Sequence, residues 1–179
     1  MASNPRQPRL RVNRTTALNI TTSWQRIIFN GTSQFNVNTY GKDPVSGNQM
    51  IMWDSTANIF RFYNKNDQNY VLFFNSVTTT NLITTRATLR YRFAVPNGVS
   101  AGVPLYFPFP DTQNAAYVDA GEVTVISGGM NHNVAPLPLY VNETIRTNGL
   151  YMEIQLSNSL ITLGTCQLNS CDLLIQSTK

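Results

Sequence analysis

The sequence is poor in the residues that most enzymes and metal sites depend on. It contains a single histidine, His132, and two cysteines, and only 12% of its 179 residues are charged. No glycine-rich phosphate-binding loop is visible, and these few residues form no ligand cluster at zinc spacing. We therefore expect a protein that is not an enzyme and has no cofactor or metal, with His132 an ordinary polar residue of a loop.

Long apolar runs are also missing. No stretch of about twenty apolar residues is present, so we expect no contact with a membrane. The cysteines, Cys166 and Cys171, are too few for a disulfide framework. They would either close a small hairpin loop over residues 167–170 or remain two reduced thiols, and we favour the reduced form.

The chain is instead rich in apolar, aromatic and uncharged polar residues. Hydrophobic residues make up 42% of it, including 9 Phe, 8 Tyr and 2 Trp. A chain of this length can bury one substantial core. Abundant Thr and Asn are typical of all-β proteins, in which Thr lies on outer strand faces and Asn in turns.

Period-two alternation predicts strands along most of the chain. It is clearest over residues 82–95, where Leu89, Tyr91 and Phe93 face one way. Met50–Asp54 and Ile59–Tyr63 predict a hairpin. Further strands are predicted at Thr22–Phe29, Tyr70–Asn75, Gly121–Ser127, Leu150–Leu156 and Leu168–Gln176, with proline-containing edge segments at Val103–Phe109 and Val134–Val141. The pattern indicates an all-β fold, an antiparallel β-sandwich of the jelly-roll type.

Positive charge is concentrated at the start of the chain. Four arginines lie within the first fourteen residues, no acidic residue occurs before Asp43, and the chain after residue 14 carries equal numbers of basic and acidic residues. The arginines are Arg6, Arg9, Arg11 and Arg14. Because prolines interrupt this segment and it has little apolar surface, we predict an extended basic N-terminal arm over residues 1–16, followed by the jelly-roll domain over residues 17–179.

Two further groups are candidates for a subunit interface. Arg86, Arg90 and Arg92 recur on one face of the 82–95 strand, where like charges repel unless an anionic or hydrogen-bonding partner lies against them. Tyr106 and Phe107 belong to a surplus of aromatic residues of the kind that subunit interfaces use. A solvated outer face is the alternative for the arginines.

Several motifs in the first half of the chain resemble a known family. Residues 22–30, Trp53-Asp54, residues 57–62 and residues 70–74 are similar to the opening strands of the jelly roll shared by the complement globular head and the tumour necrosis factor ligands. Domains of that type also occur in viruses and bacteriophages as capsid spikes, head fibres and decoration proteins. The sequence departs from the secreted members, because it has no stalk region and no glycine-plus-aromatic ending.

The resemblance implies a homotrimer packed through aromatic and aliphatic strand faces. We therefore expect a structural protein of a virus or phage particle, located in the virion capsid as a decoration protein, spike or head-fibre base. The basic arm would anchor it to other capsid proteins. Contact of the arm with packaged nucleic acid is a weaker alternative, since four arginines are few for that task. Two further hypotheses are a small single-jelly-roll major coat protein and a carbohydrate-binding adhesive head.

Overall fold

The structure is a computed structural model that describes residues 8–31, 50–80, 87–99, 117–125, 128–156 and 165–178. These residues form eleven β-strands, one short α-helix and a 3-10 turn at Pro96–Gly98. The strands are β1 (Arg9–Arg14), β2 (Leu18–Ile20), β3 (Gln25–Arg26), β4 (Ile51–Asp54), β5 (Ile59–Phe62), β6 (Gln68–Thr80), β7 (Ala87–Ala94), β8 (Tyr117–Val125), β9 (Gly128–Val141), β10 (Tyr151–Leu156) and β11 (Cys166–Ser177). The helix α1 spans Glu143–Asn148.

The strands pair into two main sheets and a hairpin. A five-stranded sheet has the order β1-β11-β6-β9, with β2 also paired to β11, and a four-stranded sheet has the order β3-β10-β7-β8. All of these pairs are antiparallel. The chain passes from one sheet to the other between β6 and β7, between β8 and β9, between β9 and β10, and between β10 and β11. This is jelly-roll connectivity. The predicted all-β antiparallel sandwich is confirmed.

Aromatic residues fill the space between the sheets. Phe29, Trp53 and Phe60 form a cluster with ring centroids 4.8 to 5.5 Å apart. Phe74 of β6 meets Tyr91 of β7 across the sandwich, with centroids 4.8 Å apart. Edge-on and tilted packing of this kind contributes stability beyond the buried area itself. Eight of the described aromatic residues are therefore buried in one core.

Several predicted strands appear where the alternation placed them. β4 and β5 form the predicted hairpin, and Leu89, Tyr91 and Phe93 of β7 are buried on one face as expected. β9 lies at an edge of the five-stranded sheet, as its prolines indicated. The strand predicted at Thr22–Phe29 is much shorter, because only β3 pairs regularly with β10. Residues 103–109 lie outside the described residues.

The predicted separation of a basic arm from the domain is wrong for residues 9–14. These residues form β1, which pairs with β11 of the same chain in continuous register from Arg9↔Gln176 to Arg14↔Cys171. Leu10 and Val12 are 1% and 2% exposed and belong to the core. Their alternation with polar residues gives the segment an apolar face, and burial of that face holds the strand on the sheet edge.

A β-bulge in β11 controls which of its side chains face the core. The register of β11 against β6 shifts between Leu168 and Ser170, and one extra residue in a strand reverses the alternation beyond it. Cys166 and Cys171 are five positions apart, so a regular strand would place them on opposite faces; the bulge turns both toward the core, where they are buried. Both lie on one strand rather than flanking a hairpin loop, and both are free thiols.

Helix α1 was not predicted from the sequence, since six residues are too short for a clear helical period. Its start is marked by Asn142, whose side chain accepts a hydrogen bond from the Ile145 backbone N–H at 3.0 Å. It ends at Gly149, which has a φ of 80°. A Cβ there would lie 2.7 Å from the Phe60 carbonyl oxygen, so the turn into β10 requires glycine.

Candidate functional site

The exposed face of the five-stranded sheet carries a continuous row of polar side chains. Backbone register places Asn13 of β1, Asp172 of β11, Asn75 of β6 and Asn133 of β9 side by side. We call these four residues the polar row. It crosses β11, β6 and β9 well inside the strands rather than in the turns, where Asn and Asp are usual.

The polar row lines a shallow hollow of about 420 Å³ on this face. The next positions along the strands, Ser170, Val77 and Asn131, lie opposite one another and complete its floor. Val77 is 37% exposed and supplies the apolar part of that floor. The hollow therefore combines amide, hydroxyl and aliphatic groups.

The one carboxylate of the hollow is already paired. Arg11 on β1 donates from Nε to both carboxylate oxygens of Asp172, at 2.9 and 2.7 Å, and its Nη2 lies 2.5 Å from Oδ2. The hydrogen bond to Asp172, followed by the charge of that carboxylate, raises the pKa of the Arg11 guanidinium. The ion pair neutralises Asp172. The other charged residue of the lining, Arg14, is buried, and its Nη1 and Nη2 donate to the carbonyls of Ile28 and Ala17.

The amides of the hollow are not used to stabilise the fold. Within the described part of the chain, the side chains of Asn75, Asn131 and Asn133 make no hydrogen bond to another residue. Asn13 Oδ1 is buried without a partner there, and it packs so closely on Gly31 that a Cβ at that residue would lie 1.4 Å from it. The exposed amides of Asn75 on β6 and of Asn131 and Asn133 on β9 are consequently open to solvent or to a ligand.

An apolar patch adjoins the polar row on the same face. Phe73 of β6 is 38% exposed, and Leu174 of β11 lies directly opposite it. Val71 of β6 and Pro138 of β9 form the neighbouring pair. We call these four residues the apolar patch. Exposed aromatic and aliphatic side chains grouped in this way are typical of protein contact surfaces.

The arginines predicted to anchor an arm have internal roles where the structure describes them. Arg14 is only 8% exposed. Its Nη1 donates to the Ile28 carbonyl at 2.8 Å, and its Nη2 donates to the Ala17 carbonyl at 3.3 Å. Arg11 is held by Asp172, and Arg9 is exposed on the edge strand. Arg6 lies outside the described residues.

Arg92 of β7 is compensated within its own sheet. Its Nε donates to Glu153 Oε2 of β10 at 2.6 Å, and its guanidinium lies 4.1 Å from the ring centroid of Trp24. Arg90 lies in backbone register opposite Gln155 and Glu122. The charge of Arg92 therefore needs no external partner. Three further residues of the predicted interface, Arg86, Tyr106 and Phe107, lie outside the described residues.

His132 lies in strand β9 and not in a loop as predicted. It is 4% exposed, and its Nε2 is 2.8 Å from Thr78 Oγ1. Burial lowers its pKa, so the neutral imidazole is favoured. Burial also raises the pKa of Cys166 to about 11 and that of Cys171 to about 12, which makes both thiols poor nucleophiles.

Within the described ranges, no group of three His, Cys, Asp or Glu residues is placed to hold a metal ion. No helix in the same ranges is long and apolar enough to cross a membrane.

The chain is similar in structure to an Eiger TNF from S. frugiperda. The TM-score is 0.50 at 6% sequence identity, and the match covers 97% of this chain and 92% of that chain. At this identity the similarity concerns the fold alone, and it confirms the resemblance to the tumour necrosis factor jelly roll at that level. No protein-family model matches the sequence, and no curated protein matches it either.

The polar row and the apolar patch were both missed in the sequence. Asn75 was placed only as the end of an aromatic strand, and Leu174 only as one apolar residue near the C-terminus. Asn and Asp in mid-strand positions, where they are uncommon, were the available signal. That signal does not reveal which of these residues are neighbours.

Proposed function

We propose that this protein is a non-enzymatic structural protein of a virus or phage particle that works as a homotrimeric jelly roll. The observation that carries the proposal is the apolar patch on the exposed face of the five-stranded sheet. Phe73 and Leu174 face outward from the two central strands of that sheet. Contact with a second copy of the chain would remove this apolar surface from water.

The homotrimer follows from the resemblance to the tumour necrosis factor jelly roll, in which strand faces pack about a three-fold axis. The charge distribution of the sheet is compatible with such packing. Arg11 and Asp172 neutralise each other, and the apolar patch itself contains no ionisable side chain. A second copy therefore meets no uncompensated charge at the patch.

The virion setting is supported by the fold, since similar jelly rolls occur as capsid spikes, head fibres and decoration proteins. The basic segment no longer supports anchoring through Arg9, Arg11 and Arg14, because these residues belong to β1. Attachment to a shell would instead use surfaces of the folded domain.

The oligomeric state tests the first half of the proposal. Size-exclusion chromatography with light scattering is expected to give a trimer for the wild-type protein at micromolar concentration and a monomer for Phe73→Asp, since burying an unpaired carboxylate is costly. Asn69→Asp, an exposed position of the same strand outside the patch, is the matched control and should remain trimeric. A stable wild-type monomer would refute the trimer.

Particle association tests the second half. An antiserum raised against the purified protein should label intact particles of the virus or phage that encodes it, by immunogold electron microscopy. Absence of the protein from purified particles by quantitative mass spectrometry would refute the virion role, whatever its oligomeric state. Stoichiometry in the same measurement separates a major coat protein from an accessory component.

A further inference from the structure

The polar row is an arrangement that folding does not require. Asn and Asp are depleted in strands, yet four of them stand side by side across β1, β11, β6 and β9. Asn75 and Asn133 have no side-chain hydrogen bond within the described part of the chain. Residues that are unfavourable in their secondary structure, and that no contact within the protein stabilises, tend to mark functional sites.

The donors and acceptors of the hollow match hydroxyl groups. Each primary amide offers two N–H donors and one carbonyl acceptor, and Ser170 adds a hydroxyl. A hydroxyl group both donates and accepts hydrogen bonds. The neighbouring amides of Asn75, Asn131 and Asn133 can therefore each donate to a hydroxyl group through N–H or accept from it through the carbonyl oxygen. A ligand with several adjacent hydroxyl groups would hydrogen-bond to all three of these amides.

Charge excludes the two other common classes of small polar ligand. Asp172 is held by Arg11, which removes the negative charge that a cation would need. The same ion pair occupies the guanidinium of Arg11, and the buried guanidinium of Arg14 in the lining donates to two backbone carbonyls, so neither fork is free to bind a phosphate or carboxylate. A neutral ligand is therefore favoured over both ions.

Shape and apolar surface agree with this chemistry. The hollow is about 420 Å³, which falls within the ordinary range of small-molecule sites. Val77 presents an exposed aliphatic surface between Ser170 of β11 and Asn131 of β9. The C–H face of a sugar ring can pack on such a surface while its hydroxyl groups reach the amides.

We propose that the hollow on the five-stranded sheet, lined by Asn13, Asn75, Asn131, Asn133 and Val77, binds a neutral saccharide of one or two sugar rings. This inference does not depend on the virion role. The hollow lies beyond the apolar patch along the strands, with Asn75 two residues and Val77 four residues after Phe73, so saccharide binding and subunit contact use different side chains.

The test uses the full chain and saturation-transfer NMR with lactose, maltose, cellobiose and N-acetyllactosamine as probes. Saturation transfer to at least one of these neutral disaccharides is expected. Asn75→Ala and Asn133→Ala should each weaken the binding of that disaccharide about five- to tenfold, because each removes one or two hydrogen bonds. Asn69→Ala, an exposed asparagine of the same strand outside the hollow, should bind like the wild type.

Three outcomes would overturn the inference. These are no transfer to any probe, equal weakening by Asn69→Ala and Asn75→Ala, and binding confined to sialylated or sulfated glycans on a printed array. Thermal melting of each variant checks that it is folded, and light scattering on the same samples reports the oligomeric state. A folded trimer that binds no saccharide contradicts only this inference, whereas a monomer that binds one contradicts only the trimer. Loss of the trimer in Asn75→Ala without saccharide binding by the wild type would identify the polar row as a subunit contact.

Discussion

Substitution of Leu10 by Ala tests whether the N-terminal strand belongs to the folded domain. Leu10 is fully buried, and its register partner Ile175 on β11 is buried as well. Truncating a buried leucine to alanine costs about 2–5 kcal/mol through lost burial and the cavity left behind. With a urea dependence of about 2 kcal/mol per molar for a domain of this size, the unfolding midpoint should fall by about 1–2.5 M.

The measurement is urea unfolding followed by tryptophan fluorescence and circular dichroism, at one fixed protein concentration because oligomerisation adds to the apparent stability. Arg9→Ala is the matched control, since Arg9 is the exposed neighbour in the same strand. It should change the free energy of unfolding by no more than about 0.5 kcal/mol. If Leu10→Ala were as mild as Arg9→Ala, the segment would contribute nothing to the core, and a detached arm would again be the better description.

Three further predictions concern buried and partly buried groups. The pKa of His132 in the folded protein lies below its ordinary value of 6.5, so the unfolded chain takes up the proton first as the pH falls. The contribution of neutral His132 to the free energy of unfolding is therefore fully present above about pH 6.5 and is lost as the pH falls below it. The melting temperature of the wild type should therefore drop between pH 7 and pH 5 more than that of His132→Asn, and parallel curves would contradict this. Ellman's reagent at pH 8 should react slowly with native Cys166 and Cys171 and promptly with both in denaturant, whereas rapid reaction of the native protein would show that the thiols are accessible. A double-mutant cycle of Arg92→Met and Glu153→Gln should give a coupling of about 1–3 kcal/mol for this partly buried ion pair, and a coupling near zero would mean that solvent screens it.

Residues 9–14 carry two conflicting signals in the sequence. Their composition, with arginines and nearby prolines, indicated a loose arm, whereas the alternation of Leu10 and Val12 with polar residues indicated a strand. The alternation was the better guide, because it describes a face that a sheet edge can bury. The partner strand is distant in the chain: Arg11 and Asp172 are 161 residues apart. No local pattern could pair them.

The arginines of β7 illustrate the same limit for electrostatics. The sequence predicted correctly that Arg90 and Arg92 share the face opposite Leu89, Tyr91 and Phe93. It could not predict their ion-pair partners, because Glu153 becomes the neighbour of Arg92 only when β10 pairs with β7. A row of like charges in one strand is therefore no sign of an external partner until the adjacent strands are known.

The sequence by itself determined the fold class, the β4–β5 hairpin, the buried face of β7 and the scarcity of catalytic residues, because each follows from residue type and from the two-residue period of a strand. The tertiary structure alone decided that Arg9–Arg14 completes a sheet, and that three asparagines and Asp172 form one row along a shallow hollow. It also decided that a bulge in β11 turns both cysteines inward and that a register shift between β6 and β9 does the same for His132. The physical reason is that packing of the whole sandwich sets the register between strands. Residues that are neighbours across a sheet are distant in the sequence, so no local pattern predicts which of them pair.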